Sequence, residues 1–339
     1  MGINISEIVP RKEITLKDLK GKIVAIDAFN AIYQFLTTIR QQDGTPLMDS
    51  KGKITSHLSG LFYRNINLLE EGVKPVYVFD GKPPILKRDE IERRMVQKEI
   101  AKDKYDKAKQ EGNLEEMRKY SQQFVKIDQE VINQSKELLE ALGIPVVQAK
   151  GEGEAEASFL AKNNLAWASA SQDYDSLLYG STRLIRNLTL ARRRKTATGY
   201  VDVNIELIEF ESLLNHLQID KDQLICLGIL VGTDYNPGGV KGIGQKRALD
   251  IVRQHKYPVQ IFEYIKNSER YEMNFDWQII FKEFHEYECC TLIEQKFGNV
   301  NEQKIRDILL EHDFSEERIN SALERLRNIK EKNKQKTLF

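Results

Sequence analysis

Lys22-Ile23-Val24-Ala25-Ile26-Asp27 and Pro75-Val76-Tyr77-Val78-Phe79-Asp80 decide how this chain folds. Each is a continuous apolar run that ends on an aspartate. A run without polar alternation belongs to a strand buried on both faces, as a parallel sheet requires. Two further runs, Ile144 to Gln148 and Leu165 to Ser171, precede Gly151-Glu152-Gly153-Glu154 and Asp173-Tyr174-Asp175. Acids therefore recur at strand exits. In open α/β sheets ligands bind at the carboxyl ends of the strands, so these carboxylates are expected to converge on one crevice.

Between the strands lie helical patterns: Asn30 to Arg40, Ser56 to Glu70, Gln129 to Leu142 before Gly143, and Glu154 to Asn163. The expected core is α/β, a mostly parallel central sheet with helices on both faces. From Asp220 onward strand signals fade, and helices are expected over Asp222 to Val231, Gln245 to His255 and Asn301 to Lys332. Two stretches fit neither part. Residues 87–126 carry 12 Lys/Arg and 9 Asp/Glu with Ile91, Met95, Tyr105 and Ala108 at helical spacing, which predicts a pair of projecting helices. Arg192-Arg193-Arg194-Lys195, between Arg183 to Leu188 and the alternating Tyr200 to Ile205, predicts a hairpin tip.

A length of 339 residues allows one large domain or two tightly joined ones. No apolar run is long enough to cross a bilayer, and the start lacks a secretory signal, which predicts an intracellular protein without a membrane partner. Cys226, Cys289 and Cys290 have no metal-binding or disulfide spacing and are read as reduced thiols. Gly2 with Ser6 meets the loose lipidation pattern. The 51 basic and 51 acidic residues cancel, but nucleic-acid affinity depends on where charge lies rather than on its sum.

The acids of interest are Asp27, Asp80, Glu152, Glu154, Asp173 and Asp175, with Asp234 after the apolar helix Leu224 to Val231. Seven carboxylates in one crevice repel and oppose folding unless cations neutralise them. An oxygen-only set without His or Cys suits Mg²⁺ or Mn²⁺ and disfavours zinc. Such a cluster holds two metals about 4 Å apart, the arrangement for phosphodiester hydrolysis. Residues two apart on a helix point about 200° apart, so Gly151 and Gly153 are expected to bend the backbone between Glu152 and Glu154. Taken singly each acid is as readily a helix N-cap, and the cluster alone also suits a phosphatase or a non-catalytic Mg²⁺ module.

The substrate is read from Gly238-Gly239-Val240-Lys241-Gly242-Ile243-Gly244-Gln245-Lys246-Arg247, a glycine-rich turn opening a helix. A helix N-terminus approached closely by glycines binds phosphate. With the preceding helix it makes a helix–hairpin–helix at about 220–255, and it lacks the spacing of a nucleotide loop. Lys241, Lys246 and Arg247 beside Gly242 and Gly244 favour a polynucleotide backbone. Lys87 and Arg94 are two turns apart on one face of the charged segment, within reach of the scissile phosphate if that helix leans over the metals.

Val24 to Ala28, Ile32 to Leu36, Lys74 to Pro84, Glu152-Gly153-Glu154-Ala155-Glu156, Ser171 to Asp175 and Gly232-Thr233-Asp234-Tyr235 resemble, in order, the signatures of the flap endonucleases. The resemblance spans nearly the whole chain. It implies a structure-specific 5′ nuclease that removes 5′ flaps in lagging-strand maturation and repair, with 5′–3′ exonuclease activity, acting on flap, nicked or gapped DNA. It implies two Mg²⁺ held by the seven carboxylates, with Lys87 and Arg94 on the scissile phosphate under a helical gateway. Tyr33 would stack on a base, which is sequence-tolerant. Residues 40–56 would form a wedge, with Arg40 and Arg64 as further DNA-binding candidates, and the hairpin would grip duplex with a K⁺ ion.

The implied division is an N-terminal nuclease part at 1–98, a cap at 87–126, an internal nuclease part at 127–258, C-terminal helices at 259–332 and a tail at 333–339. In the tail, Gln335, Leu338 and Phe339 match part of the family's sliding-clamp motif, and the chain stops before its aromatic pair. The family's own Met-Gly-Ile start gives Gly2 a role other than lipidation. The short tail resembles archaeal members, which implies a cytoplasmic protein, nuclear if eukaryotic, and a monomer. Relatives acting on bubbles or four-way junctions, a DNA-binding clamp adaptor that does not cut, and a smaller RNase-like toxin are the alternatives.

Overall fold

In the computed structural model, Ile23–Asp27 and Lys74–Phe79 are adjacent parallel strands, paired from Ile23 with Lys74 to Asp27 with Val78. The structure describes the chain except residues 1, 42–43, 191–192, 197–198, 288, 290–295 and 337–339, and without the side chains of 193–196, 200–201 and 329–336.

The first half comprises β1 (Lys12–Ile14), β2 (Ile23–Asp27), α1 (Ala28–Thr38), α2 (Ser56–Glu70), β3 (Lys74–Phe79), α3 (Arg88–Gln110), α4 (Leu114–Ser121), α5 (Gln129–Ala141), β4 (Val146–Gln148) and α6 (Gly153–Lys162). Then come β5 (Ala168–Ala170), α7 (Asp175–Leu178), β6 (Arg183–Arg186), β7 (Arg193–Thr196), β8 (Gly199–Asp202) and β9 (Ile205–Glu209). Among the described residues seven helices follow: α8 (Phe210–Leu217), α9 (Lys221–Val231), α10 (Gln245–His255), α11 (Pro258–Asn267), α12 (Trp277–His285), α13 (Glu302–Glu311) and α14 (Glu316–Lys336).

Among the described residues the main sheet has seven strands in the order β1-β9-β6-β5-β2-β3-β4, while β7 and β8 pair in a separate two-stranded sheet. From β6 to β4 all pairings are parallel, and β9 runs antiparallel to both β6 and β1. Alternation within the apolar runs divides the two faces. Val24, Ile26, Tyr77 and Phe79 pack with α1, α2, α5, α13 and α14, whereas Ala25, Val76 and Val78 pack with α6. A separate apolar cluster joins Ile3 and Ile5 to α7 through α12.

Three expectations are corrected. The stretch from Asn301 to Lys332 is two helices, α13 and α14, because the chain turns at Asp313, whose φ is +59°. The alternating Tyr200 to Ile205 divides between β8, which pairs with β7, and β9, which joins the main sheet. Within 87–126, α3 and α4 pack together and bury Ala101, Ala108 and Met117, but Met95 is 60% exposed and is no part of their seam. Cys226 is a buried free thiol. Among the described residues no helix is long and apolar enough to cross a membrane.

A buried polar chain ties the 46–55 turn to the helices behind it. His57 Nε2 donates to Gln134 Oε1 at 2.9 Å, the Gln134 amide donates to His312 Nε2 at 3.2 Å, and His312 Nδ1 donates to Asp49 Oδ2 at 2.8 Å. His57 Nδ1 is buried without a hydrogen-bond partner, and burial pushes the ring's pKa from 6.5 down to about 4. The unfolded chain therefore takes up a proton at a higher pH than the folded one. The contribution of neutral His57 to stability is fully present above about pH 6.5 and is lost as pH drops through about 4. Urea midpoints across this window should give slopes that differ between the unmodified chain and His57→Gln by about one proton taken up on unfolding, since the raised carboxyls contribute equally to both.

Candidate active site

Four adjacent strands, β5, β2, β3 and β4, deliver Asp173, Asp27, Asp80 and Glu152 side by side just past their carboxyl ends. Asp27 is the last residue of β2 and the N-cap of α1, its Oδ1 accepting from Asn30 N at 3.0 Å. Asp80 Oδ1 accepts from Gly153 N at 2.7 Å, which joins the end of β3 to the start of α6. Glu152 is the extended N-cap of α6, and Glu154 lies in the first turn, its Oε1 held by Ser176 N at 3.1 Å and Ser176 Oγ at 2.8 Å.

The glycine bend expected at 151 and 153 is absent. Neither glycine has positive φ. The extended conformation of Glu152 itself, at φ −77° and ψ 135°, separates the two side-chain directions. Gly153 is needed for closeness instead, since a Cβ there would stand 2.7 Å from Asp80 Oδ1.

The N-terminus completes the floor. Gly2 N donates to Asp173 Oδ1 at 3.0 Å, Ile3 N donates to Asp175 Oδ1 at 2.7 Å, and Asn30 Nδ2 donates to Asp173 Oδ2 at 3.1 Å. A Cβ on Gly2 would lie 2.7 Å from Asp173 Cβ. On the far wall, Tyr235 and Tyr179 share a 2.6 Å hydroxyl contact and Tyr179 donates to Glu152 Oε2 at 3.2 Å. Of these supporting contacts only the cap of α1 has a sequence signal, the aspartate at position 27 immediately before a helical pattern, since its donor is the backbone N–H of residue 30.

The acids feel one another. Burial and then Asp80 raise the pKa of Asp27, burial and then Asp175 raise that of Glu154, and burial followed by Asp234 and Asp173 raises that of Asp175. Asp80 is pushed up by burial, with Glu152 adding to it. All seven predicted carboxylates are thus linked in one field. Burial also pushes Asp234 up, but Lys87 and Arg94 outweigh it and hold its pKa low.

Lys87 Nζ lies 2.6 Å from Glu152 Oε1 and 3.0 Å from Asp234 Oδ2, and Arg94 Nη2 lies 2.6 Å from Asp234 Oδ1. The two basic residues therefore do reach the crevice, Lys87 from the end of a 3-10 turn at Ile85–Lys87 that leads into α3 and Arg94 from α3 itself. Burial lowers the pKa of Lys87, but the two carboxylates more than reverse this and keep it charged. Among the described residues no three Asp, Glu, His or Cys side chains stand gathered as a ready cage. The donor chemistry nevertheless suits hard divalent cations, since every site acid offers oxygen and all seven repel when ionised.

The DNA-binding candidates lie on several separate elements. Tyr33, on α1, is 40% exposed. Arg40 donates through Nε to Leu36 O, and through Nη1 to Gly44 O and Ser121 Oγ, so it joins the end of α1 to Gly44 and to α4. Arg64 is half-buried on α2. In the turn between α9 and α10, Gly242 has φ +85° and Gly244 is the N-cap of α10. Lys241 is exposed there, Lys246 pairs with Glu7 at 3.0 Å, and Arg247 donates to Gly242 O at 2.8 Å. Leu338 and Phe339 lie outside the described residues, and Gln335 is described only as backbone of α14. Arg192 of the predicted hairpin tip also lies outside them.

Comparison with known proteins adds the following. The family model described as the XPG N-terminal domain matches residues 3–101, and that described as the XPG I-region matches residues 143–234. The chain is 52% identical to Flap endonuclease 1 of Thermococcus onnurineus over 341 residues, covering 100% of this chain and 98% of the relative. It is 52% identical over 342 residues to Flap endonuclease 1 of Pyrococcus furiosus, with the same two coverages. Among solved structures, flap endonuclease-1 from Methanococcus jannaschii superposes with a TM-score of 0.76 at 39% identity, over 97% of this chain and 98% of that one. The catalytic core of Rad2 in complex with DNA substrate shares the fold, with a TM-score of 0.70 at 23% identity over 92% of this chain and 95% of that one.

Proposed function

We infer the chemistry of this site from one premise: the chain belongs to the flap endonuclease family and is a structure-specific 5′ flap nuclease that hydrolyses phosphodiester bonds. Its activity is dependent on divalent metal and serves DNA replication and repair. What supports a specific assignment is the run of carboxylates at four adjacent strand ends with two cations facing them from the cap.

In the proposed arrangement, Asp27, Asp80, Glu152, Glu154, Asp173, Asp175 and Asp234 hold two Mg²⁺ ions, for which Mn²⁺ substitutes. When bound, such a pair supplies an activated water and stabilises the leaving oxygen. Lys87 and Arg94 stabilise charge on the scissile phosphate. Tyr33 stacks on the base beside it, and sequence tolerance follows because every base has a π-face.

The turn at Gly242 and Gly244, with Lys241, Lys246 and Arg247, grips the duplex backbone through free N–H donors and positive charge, with a K⁺ ion assisting. Arg40 and Arg64 border the junction-splitting segment at 40–56. The substrate is 5′-flap, nicked or gapped DNA, with 5′–3′ exonuclease activity at the same site. Residues 1–98 and 127–258 form the nuclease, 87–126 its cap and 259–332 its helical flank. The protein works inside the cell as a monomer and meets a sliding clamp through Gln335, Leu338 and Phe339.

Calorimetric titration of metal-free protein with Mn²⁺ tests the metal assignment. Two ions should bind per chain, and Asp173→Ala should bind fewer. Unchanged stoichiometry in Asp173→Ala would remove that residue from the ligand set.

A further inference from the structure

The cap helix α3 is polar along most of its length, yet one of its acids, Glu90, is only 2% exposed. Its carboxylate accepts from two consecutive arginines: from Arg93 through Nε at 2.7 Å and Nη2 at 3.0 Å, and from Arg94 through Nε at 2.6 Å. We propose that Glu90 is a positioning residue for cleavage, gripping Arg94 at Nε so that the Nη edge of its guanidinium faces the acidic crevice. The proposal rests on the reading that Arg94 contacts the scissile phosphate.

The geometry of arginine carries the argument. A guanidinium has five donors in one rigid plane, and fixing Nε fixes where the other four point. With Nε on Glu90, Arg94 Nη2 stands 2.6 Å from Asp234 Oδ1, and its Nη donors are aimed where a phosphate between cap and crevice would lie. Without that grip, the long side chain would have to be ordered at the moment of reaction.

An i,i+4 pair on an open helix surface contributes only a few tenths of a kcal/mol and fixes little. Glu90 differs because its side chain is 2% exposed while those of Arg93 and Arg94 are 46% and 35% exposed. A buried carboxylate keeps its partners, since losing one leaves an uncompensated charge. Glu90 also occupies the first turn of α3, where the helix N-terminus favours an anion. Burial pushes its pKa up, but hydrogen bonds from Arg93 and Arg94 prevail and hold it below the ordinary value. The acid is thus ionised and in place before substrate arrives.

The test is a double-mutant cycle on single-turnover 5′-flap cleavage with Mg²⁺, with flap affinity measured beside it. Arg94→Ala should slow cleavage about a hundredfold. Glu90→Ala should slow it about tenfold at unchanged flap affinity, the scale of losing an orienting partner behind an active group. Glu90→Gln should fall between Glu90→Ala and the unmodified chain. In the double variant, Glu90→Ala should cost nothing beyond Arg94→Ala, because it acts through that residue. Arg93→Ala, which removes the more exposed of the two arginine partners and leaves Arg94 on the same carboxylate, should leave the rate within about twofold.

A wild-type rate in Glu90→Ala, or independent additive losses in the double variant, would overturn the proposal. A wild-type rate in Arg94→Ala would instead sink the reading of Arg94, and the proposal with it. Where circular dichroism shows Glu90→Ala unfolded, the Glu90→Gln cycle gives the same decision.

Discussion

Asp175→Ala lowers single-turnover cleavage of a 5′ flap on the order of a thousandfold, the effect of losing several kcal/mol of metal-derived stabilisation. Asp175 lies in the first turn of α7, and Asp234, Asp173 and Glu152 all act on its charge. Flap affinity should stay within about threefold, because affinity for DNA comes mainly from phosphate contacts elsewhere. The loss is distinguishable from unfolding. Burial and neighbouring acids raise the pKa of Asp175, so its ionised form is disfavoured in the folded chain. Asp175→Asn keeps an acceptor for Ile3 N and removes the charge. Its melting temperature in EDTA should therefore be at or above that of the unmodified chain. A lower melting temperature would show that Asp175 serves the fold first, and full Mg²⁺-dependent activity in Asp175→Ala would sink the metal assignment.

Lys87→Ala carries the second large effect, a loss of about 10²–10³ in the same rate, the range for removing one donor aimed at developing transition-state charge. Lys87 is held 2.6 Å from Glu152 and 3.0 Å from Asp234, at the junction of cap and crevice. Those carboxylates are also proposed metal ligands, so Mn²⁺ affinity without DNA should not fall in this variant. Slow cutting with undiminished metal affinity separates a phosphate-facing lysine from one that organises the metal site. A parallel loss of both would assign Lys87 to holding the carboxylates in place.

The strand-exit acids were legible because two independent signals coincide at each of them. An uninterrupted apolar run demands a strand covered on both faces, and a charged residue ending it must lie at the sheet's edge. The order β5-β2-β3-β4 then brings Asp173, Asp27, Asp80 and Glu152 together. Lys87 and Arg94 were legible from helical spacing. The supporting contacts were not, because they join residues remote in sequence: Gly2 and Ile3 hold acids 171 and 172 positions away. Tyr179 reaches Glu152 only once α7 packs beside α6. Glu90 was hidden by company, one of nine acids among twelve basic residues in 87–126, where burial alone sets it apart. The glycine bend expected between Glu152 and Glu154 is absent, and Glu152 is itself extended as the N-cap of α6, a backbone state that the spacing of the two acids does not reveal. Asp313 broke a helix that periodicity had run through, because its left-handed φ leaves no trace in apolar spacing.

The measurement that bears most directly on the whole account is product mapping on end-labelled 5′-flap, 3′-flap, duplex and single-stranded DNA, each with Mg²⁺ or with EDTA. The account predicts efficient cutting of the 5′ flap alone, near its junction, and none in EDTA. Cutting that persists in EDTA, or that falls equally on 3′ flaps and single strands, would contradict it.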